Sequence, residues 1–287
     1  MTPLLWVHGG GFVAGGLDQK ESDAPARYLA ATGRWVRTLD YRLAPNIGLF
    51  GQPRPGPAPG RFPAAHHDVI DAARALCFES GGPIDLGGAS AGANLAAGAT
   101  VGLRDAGDDI LRSLVLAYGV LHAQLPENGS VESNLHGILA RWFFNPGMTK
   151  RMNLNYVGSE AGMSDPNAFP GSANLQGFPP TLTLDALNDR LRKSGHAFHQ
   201  QLERAGVTAR EEVVDGRHGF LGAPNRPPFS IGMGTINGWL DDLDYQTPRA
   251  SKHSATPPSP AAANSPKKSP KSSDSSHRPA PATSQEQ

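Results

Sequence analysis

Short apolar runs alternate with longer amphipathic stretches along residues 3–245. Residues 3–7 are all apolar, a pattern typical of a strand buried on both faces of a sheet. The predicted strands are residues 3–7, 35–39, 83–86, 113–118, 180–184 and 210–214, and the predicted helices are 22–31, 63–80, 94–103, 191–205 and 229–243. This order predicts an α/β fold with a mostly parallel sheet and helices on both faces.

Residues 119–158 interrupt the alternation. Two amphipathic stretches, at about 135–144 and 149–156, are separated by Asn145-Pro146-Gly147. We expect them to form helices of a small cap, at about residues 120–158, over the C-terminal edge of the sheet. The aromatic residues 142–144 either line an apolar pocket or pack the cap onto the sheet, and the pattern does not separate the two.

The C-terminal segment has a different composition. Residues 246–287 contain 10 Ser and 8 Pro and lack Val, Ile, Leu, Met and aromatic residues. Such a segment buries too little apolar surface to offset its ordering entropy, so we expect a disordered tail after a domain of residues 1–245.

Charge and composition limit the partners of the domain. The chain has 26 basic and 26 acidic residues, and without the tail's six basic and two acidic residues the domain keeps 20 and 24. This mildly acidic balance argues against nucleic acid. No apolar run approaches the roughly 18 residues of a membrane span. The start lacks the basic and apolar regions of a signal peptide, which favours a cytoplasmic location. One cysteine, Cys77, excludes an intramolecular disulfide. The oligomeric state is not predicted.

Residues 88–92 read Gly-Ala-Ser-Ala-Gly, a G-x-S-x-G motif between a predicted strand and a predicted helix. In that context the motif forms a tight turn that lifts the hydroxyl of Ser90 clear of the sheet. The alternative is a small-residue helix entrance without chemistry.

Residues 8–12 read His-Gly-Gly-Gly-Phe directly after the first predicted strand. Consecutive glycines can turn their N–H groups toward one point, which is how an oxyanion hole is built beside a nucleophilic serine. A hairpin or a phosphate loop is the alternative, but the Lys-Ser/Thr of a P-loop is absent. We expect His8 to be a structural residue of this loop.

Two further polar residues follow predicted strands. Asp189 comes after strand 180–184, and His218 follows strand 210–214. A serine needs an imidazole to take its proton, and the imidazole needs a carboxylate to hold its tautomer. The order Ser, acid, His is the one that this architecture uses. Taken singly, His218 could be a loop residue and Asp189 a helix cap, and Asp185 competes for the role of the acid.

The motifs HGGGF, DYRLAP, GASAG and RHGF together resemble the hormone-sensitive lipase family of α/β-hydrolases. That family usually reads D-P-L-R-D-E-G around its acid, and residues 189–195 of this chain read D-R-L-R-K-S-G without a gap. The resemblance implies Ser90 as nucleophile, Asp189 as acid and His218 as base. The expected oxyanion donors are the N–H groups of Gly10, Gly11 and Ala91. The expected substrate contacts are Phe12, Trp142 and Phe220.

The chain departs from the family pattern at three places, one of which is a loop at residues 46–61 that is longer than the family's short Pro-rich link. Members normally have two strands and a helical cap segment before the HGG strand, which here begins at residue 3. We therefore expect a sheet without its first edge strands and a reduced lid. In the acid turn, Lys193 replaces an acidic residue.

These features predict a serine carboxylesterase that forms an acyl-enzyme on Ser90. The alternatives are a non-catalytic small-molecule binding protein on the same fold and a lactone-opening hydrolase with the same triad. The expected partner is a small-molecule ester, and the mechanism needs no metal and no organic cofactor. His66 and His67 do not indicate a metal site, because adjacent residues on a helix point about 100° apart.

Overall fold

The computed structural model describes residues 1–48 and 51–246, apart from the side chains of Leu139 and Trp142. Of the predicted tail, all but Gln246 lies outside the described residues. Within the described ranges, no helix combines the length and the apolar character that crossing a lipid bilayer requires.

Six parallel strands form one sheet with the order β2-β1-β3-β4-β5-β6. They are β1 (Leu4–Val7), β2 (Val36–Leu39), β3 (Ile84–Ala89), β4 (Leu111–Ala117), β5 (Thr181–Asn188) and β6 (Ala209–Arg217). The α/β fold with a parallel sheet is confirmed. The polar strand β6 lies at an edge, as its sequence predicts, and among the described residues β2 has no neighbour on its outer side.

Eight α-helices connect and cover the strands in the described part of the chain. They are α1 (Lys20–Ala31), α2 (Ala64–Ser80), α3 (Ala91–Asp105), α4 (Gly129–Ser133), α5 (Ile138–Trp142), α6 (Pro146–Val157), α7 (Arg192–Arg204) and α8 (Pro227–Gln246). Helices α4 to α6 lie between β4 and β5, where the sequence predicts the cap. The short α4 is not predicted, and Asn145-Pro146-Gly147 starts α6 as its N-cap and first turn.

The alternation of side chains along β1 separates two hydrophobic cores. Leu5 and Val7 belong to the core that helices α2, α3 and α7 cover, whereas Leu4 and Trp6 belong to the core under α1 and α8. Successive side chains of a strand point to opposite faces, so one strand serves both cores. All four side chains are fully buried, as the continuous apolar run predicts.

Helix α1 begins at Lys20, two residues before the predicted start, and Gln19 is its N-cap. Pro25 therefore lies in the helix interior. A proline cannot donate to the carbonyl four residues earlier, which is that of Glu21. The indole Nε1 of Trp6 donates to this carbonyl instead, at 2.8 Å. The strand thus satisfies the helix group that the proline leaves unpaired.

Strands β5 and β6 run several residues beyond their predicted ends. Asn188 on β5 pairs with Arg217 on β6. The next residues, Asp189 and His218, therefore leave the sheet side by side. The sequence underestimates the length of both strands. Polar residues follow the apolar run in each strand, although the backbone pairing continues beyond them.

Candidate active site

Ser90 occupies the turn between β3 and α3 in a strained backbone conformation. Its φ is 54° and its ψ is −118°, a region that residues with a side chain rarely adopt. The N–H of Ser90 donates to the carbonyl of Ala117 at 2.8 Å, which ties the turn to β4. The structure therefore holds the strand–turn–helix geometry that the G-x-S-x-G motif predicts.

The two glycines of the motif are required by close backbone contacts. A Cβ on Gly92 would overlap the carbonyl oxygen of Val7, and a Cβ on Gly88 would overlap the carbonyl of Gly92. Helix α3 therefore passes β1 and β3 at a distance that only glycine allows. This close passage fixes where Ser90 stands above the sheet.

His218 joins Ser90 to Asp189 through both of its ring nitrogens. His218 Nε2 lies 2.9 Å from Ser90 Oγ, and His218 Nδ1 lies 2.7 Å from Asp189 Oδ2. The other carboxylate oxygen of Asp189 accepts the N–H of Leu191 at 3.0 Å. Asp185, the other candidate acid, is buried, and its Oδ2 has no partner among the described residues. The geometry thus brings together the three residues that the resemblance implies.

Two opposing effects act on the pKa of His218. Burial lowers the pKa, but the charge of Asp189 and its hydrogen bond, with a smaller effect of Glu21, raise it above the ordinary value. An imidazole with a raised pKa is a stronger base toward the hydroxyl at Nε2. The site is thus arranged to favour the imidazolium that would form when Ser90 loses its proton.

Glu21 and Tyr118 form a second layer behind the histidine that the sequence does not reveal. The O–H of Tyr118 donates to Glu21 Oε1 at 2.9 Å, and the Tyr118 ring packs edge-on against His218 with centroids 5.0 Å apart. Burial, followed by the charge of Glu21, raises the pKa of Tyr118, so its hydroxyl stays a donor. Neither residue belongs to a motif, and only the tertiary structure joins them.

The glycine loop after β1 approaches Ser90 closely. A Cβ on Gly9 would lie 3.1 Å from the Cβ of Ser90. Gly10 and Gly11 have φ of 119° and 60°, and a Cβ on Gly10 would overlap the Ala14 carbonyl. Among the described residues, the N–H groups of Gly10 and Gly11 donate to no acceptor. The N–H of Ala91 opens α3 and has no intrahelical acceptor.

His8 stabilises the glycine loop through a hydrogen bond and a stacked ring. Its Nδ1 donates to the carbonyl of Gly9 at 2.7 Å, and its ring stacks on Tyr41 with centroids 4.3 Å apart. The Tyr41 hydroxyl donates to the carbonyl of His8 at 3.1 Å. Burial lowers the pKa of His8. This neutral, enclosed position agrees with the structural role expected from the sequence.

The sequence profile of the alpha/beta hydrolase fold family matches residues 4–222. This chain belongs to that family. The match confirms the resemblance that the motifs indicate, and it spans the strands and loops that carry Ser90, Asp189 and His218.

Several relatives of this α/β-hydrolase are named as esterases or ester hydrolases. It is 31% identical over 219 residues to the carboxylesterase NlhH of Mycobacterium tuberculosis, covering 71% of this chain and 61% of NlhH. It is 29% identical over 235 residues to the ethyl acetate hydrolase of Pseudomonas putida, covering 76% and 65% of the two chains. The chain thus spans about three fifths of the length of these curated relatives. A solved esterase of Pyrobaculum calidifontis matches at a TM-score of 0.72 and 27% identity, covering 85% and 77%.

The aromatic residues expected to contact substrate lie in different surroundings in this α/β-hydrolase. Phe12 is 1% exposed and stacks on Tyr156, and Phe220 is 6% exposed and packs against Tyr118. Phe12 belongs to the core under α2, α3 and α7, and Phe220 belongs to the core under α1 and α8. Their contact with substrate stays a prediction. The side chain of Trp142 lies outside the described residues.

Phe144, which is absent from the expected substrate contacts, packs its ring against that of His218. Its ring centroid is 4.5 Å from that of His218, and its φ is 53°. The left-handed backbone at this position turns the chain between α5 and α6, and the ring lies beside that of His218. The aromatic run 142–144 carries this signal in the sequence, but its pattern does not say which ring faces the site.

No metal site is found in residues 1–48 and 51–246, where no group of three or more His, Cys, Asp or Glu side chains is placed to hold an ion. The adjacent rings of His66 and His67 are 5.8 Å apart and tilted by 53°. Burial lowers the pKa of His66 to about 4, so this side chain is neutral within α2.

Proposed function

We propose that this α/β-hydrolase is a serine carboxylesterase that hydrolyses small-molecule carboxylic esters through an acyl-enzyme on Ser90. The observation that carries the proposal is the hydrogen-bonded chain from Ser90 through His218 to Asp189. The relatives named carboxylesterase and ethyl acetate hydrolase support the same reaction class. A cytoplasmic location and the lack of a nucleic-acid partner stay predictions from the sequence.

Acylation follows from the geometry of the three side chains. His218 Nε2, 2.9 Å from Ser90 Oγ, takes the hydroxyl proton as the oxygen attacks the ester carbonyl. Asp189 holds Nδ1–H and stabilises the imidazolium. The carbonyl oxygen becomes an oxyanion, and the N–H groups of Gly10, Gly11 and Ala91 are the proposed donors to it. A single donor of this kind contributes about 2.7–4 kcal/mol in the transition state.

The same imidazole completes the reaction. His218 returns its proton to the departing alcohol, which leaves the acyl group on Ser90. Water then gives a proton to His218 as it attacks the acyl carbonyl, and the second tetrahedral intermediate collapses to release the acid and restore the Ser90 hydroxyl. Both halves of the cycle use the same nitrogen and the same oxyanion donors, so no further acid or base is required.

A panel of p-nitrophenyl esters of increasing acyl length tests the proposal. We expect the folded protein to hydrolyse one or more members of the panel, and the most reactive member to define the acyl length that the site accepts. p-Nitrophenyl phosphate is the control, since a phosphate monoester does not fit acyl transfer through Ser90. A folded protein that hydrolyses none of the esters would contradict the proposed function.

The acid limb of the pH profile should reflect the raised pKa of His218. Protonated His218 cannot take the Ser90 proton, so kcat/KM should fall with decreasing pH, with a midpoint above about 6.5, the ordinary value for histidine. Glu21→Gln removes one of the charges that raise this pKa and should move the midpoint to lower pH. The measurement is kcat/KM for a short-chain ester across the neutral range. A midpoint clearly below the ordinary value would contradict the assignment of His218 as base.

A further inference from the structure

The loop after β5 is attached to the cap by buried cations. Arg190 Nε and Nη2 donate to the two carboxylate oxygens of Glu132, on α4, at 3.0 and 3.2 Å. Lys193 Nζ lies 2.8 Å from Glu132 Oε1. Arg190 is 8% exposed and Lys193 is 6% exposed. A bidentate arginine–carboxylate pair fixes the orientation of the two side chains as well as their distance. Helix α4 is therefore held in a defined position.

Two polar side chains, one before and one after Asp189, also attach this part of the chain to the cap. Asn188 Oδ1 accepts the N–H of His136 at 2.8 Å, and Asn188 Nδ2 donates to its carbonyl at 3.0 Å. The hydroxyl of Ser194 accepts the N–H groups of Leu121 and His122 at 2.9 and 3.1 Å. The cap therefore contacts the chain both before and after Asp189.

The remaining guanidinium nitrogen of Arg190 reaches the segment that carries Phe144. Arg190 Nη1 donates to the carbonyls of Arg141 and Phe143 at 2.8 and 3.1 Å. The next residue, Phe144, places its ring 4.5 Å from the ring of His218. One side chain thus joins α4, the end of α5 and the turn that brings Phe144 over the histidine, and it follows Asp189 directly in sequence.

The two cations stand where this chain departs from the family pattern. Arg190 occupies the position of the proline in D-P-L-R-D-E-G, and Lys193 occupies that of the second aspartate. A proline could not bind Glu132, and an aspartate would repel it. Arg190 and Lys193 both pair with the carboxylate of Glu132, so the two replacements act together on the position of the cap.

We propose that Arg190 is a positioning residue that, with Glu132 and Lys193, latches the cap so that Phe144 is held over His218. The proposal rests on the proposed function, because it assigns the latch a role in ester binding beside that histidine. The hydrogen bond from Arg190, against the effect of burial, lowers the pKa of Glu132 to about 2, so the latch stays charged throughout the neutral range. The triad hydrogen bonds do not pass through Glu132, so the latch acts on binding more than on the chemical step.

Releasing the latch should therefore separate KM from kcat. We expect Glu132→Gln to raise KM for a short-chain p-nitrophenyl ester roughly tenfold, which corresponds to about 1.4 kcal/mol of lost binding. The same variant should change kcat less than about threefold, since an interaction that acts on binding alone leaves the chemical step intact. Glu132 keeps 41% of its side-chain exposure, so this variant is expected to fold even where Arg190→Gln does not.

Matched variants separate the latch from a general change in charge. Glu160→Gln removes a carboxylate that pairs with Lys150 on α6 at 3.2 Å and is 67% exposed, so it should leave KM unchanged. Among the described contacts, Lys193 reaches Glu132 but neither of the carbonyls that Arg190 holds. Lys193→Gln should therefore raise KM less than Arg190→Gln does.

Hydrogen exchange of residues 129–144 gives a readout that does not need activity. Glu132→Gln should speed exchange in this segment, and Glu160→Gln should not. The proposal is overturned if Glu132→Gln leaves KM unchanged, and also if it leaves exchange in residues 129–144 unchanged. If the wild-type protein hydrolyses no ester, the proposed function fails by itself, and unchanged exchange in Glu132→Gln would then refute the latch separately.

Discussion

Ser90→Ala is expected to lower kcat for a short-chain p-nitrophenyl ester by roughly 10⁶-fold, the order of the loss found when a serine nucleophile is removed from a triad. The methyl group cannot attack the carbonyl, so no acyl-enzyme forms. KM should change little, because Ser90 is 6% exposed and alanine leaves the shape of the turn intact. Steady-state kinetics of the purified variant are the measurement.

The control for this variant is Ser230→Ala. Ser230 is an exposed residue of α8, and it belongs to none of the motifs of the site. Removing its hydroxyl should leave kcat and KM unchanged. Circular dichroism and thermal unfolding of both variants should match the wild type, since neither change removes a buried apolar contact. Wild-type turnover in folded Ser90→Ala would show that another group carries the reaction.

Asp189→Asn is expected to lower kcat by about 10⁴-fold, the loss seen when a triad aspartate becomes an amide. Asp189 Oδ2 accepts from His218 Nδ1 at 2.7 Å and selects the tautomer whose Nε2 can take the Ser90 proton. An amide can present an N–H at that position, which would favour the opposite tautomer. The acid limb of the pH profile should also move to lower pH, because the charge that raises the pKa of His218 is removed.

Asp185→Asn is the matched control, because Asp185 lies four residues before Asp189, on β5. Burial, together with the charges of Asp189 and Glu211, raises the pKa of Asp185 well above its ordinary value. An amide has nearly the size of a carboxyl group, and Asp185 makes no hydrogen bond to His218, so kcat should stay within about threefold of the wild type. A large loss in Asp185→Asn with none in Asp189→Asn would reverse the assignment of the acid.

Local sequence was sufficient for the two backbone features of the site. The turn at Ser90 depends on glycines at 88 and 92, whose neighbours leave no room for a Cβ. The loop at Gly10 and Gly11 likewise needs positive φ. Such requirements act within a few residues, so they leave a readable pattern. The family resemblance distinguishes Asp189 from Asp185, and the local pattern does not, because both residues follow the same apolar run.

Contacts between distant segments that belong to no motif cannot be predicted from the sequence. The carbonyl of Glu21 that Pro25 leaves unpaired is satisfied by Trp6, which no helix rule includes. The side chain of Glu21 meets Tyr118 behind His218, although 97 residues separate the two. The same holds for Phe144, whose position depends on Arg190 holding the backbone before it. Each of these contacts is set by packing between elements, and the periodicity within any one element does not encode it.

The most direct test of the central claim is the intact mass of the protein after brief exposure to an organophosphonate ester probe. Such a probe reacts with a serine that an imidazole activates, and backbone N–H groups of an oxyanion hole stabilise the reaction. We predict one phosphonyl adduct per chain, located on Ser90 by peptide mapping, slower labelling of Asp189→Asn and no adduct on folded Ser90→Ala. An unlabelled Ser90 in folded wild-type protein that hydrolyses esters would contradict the account.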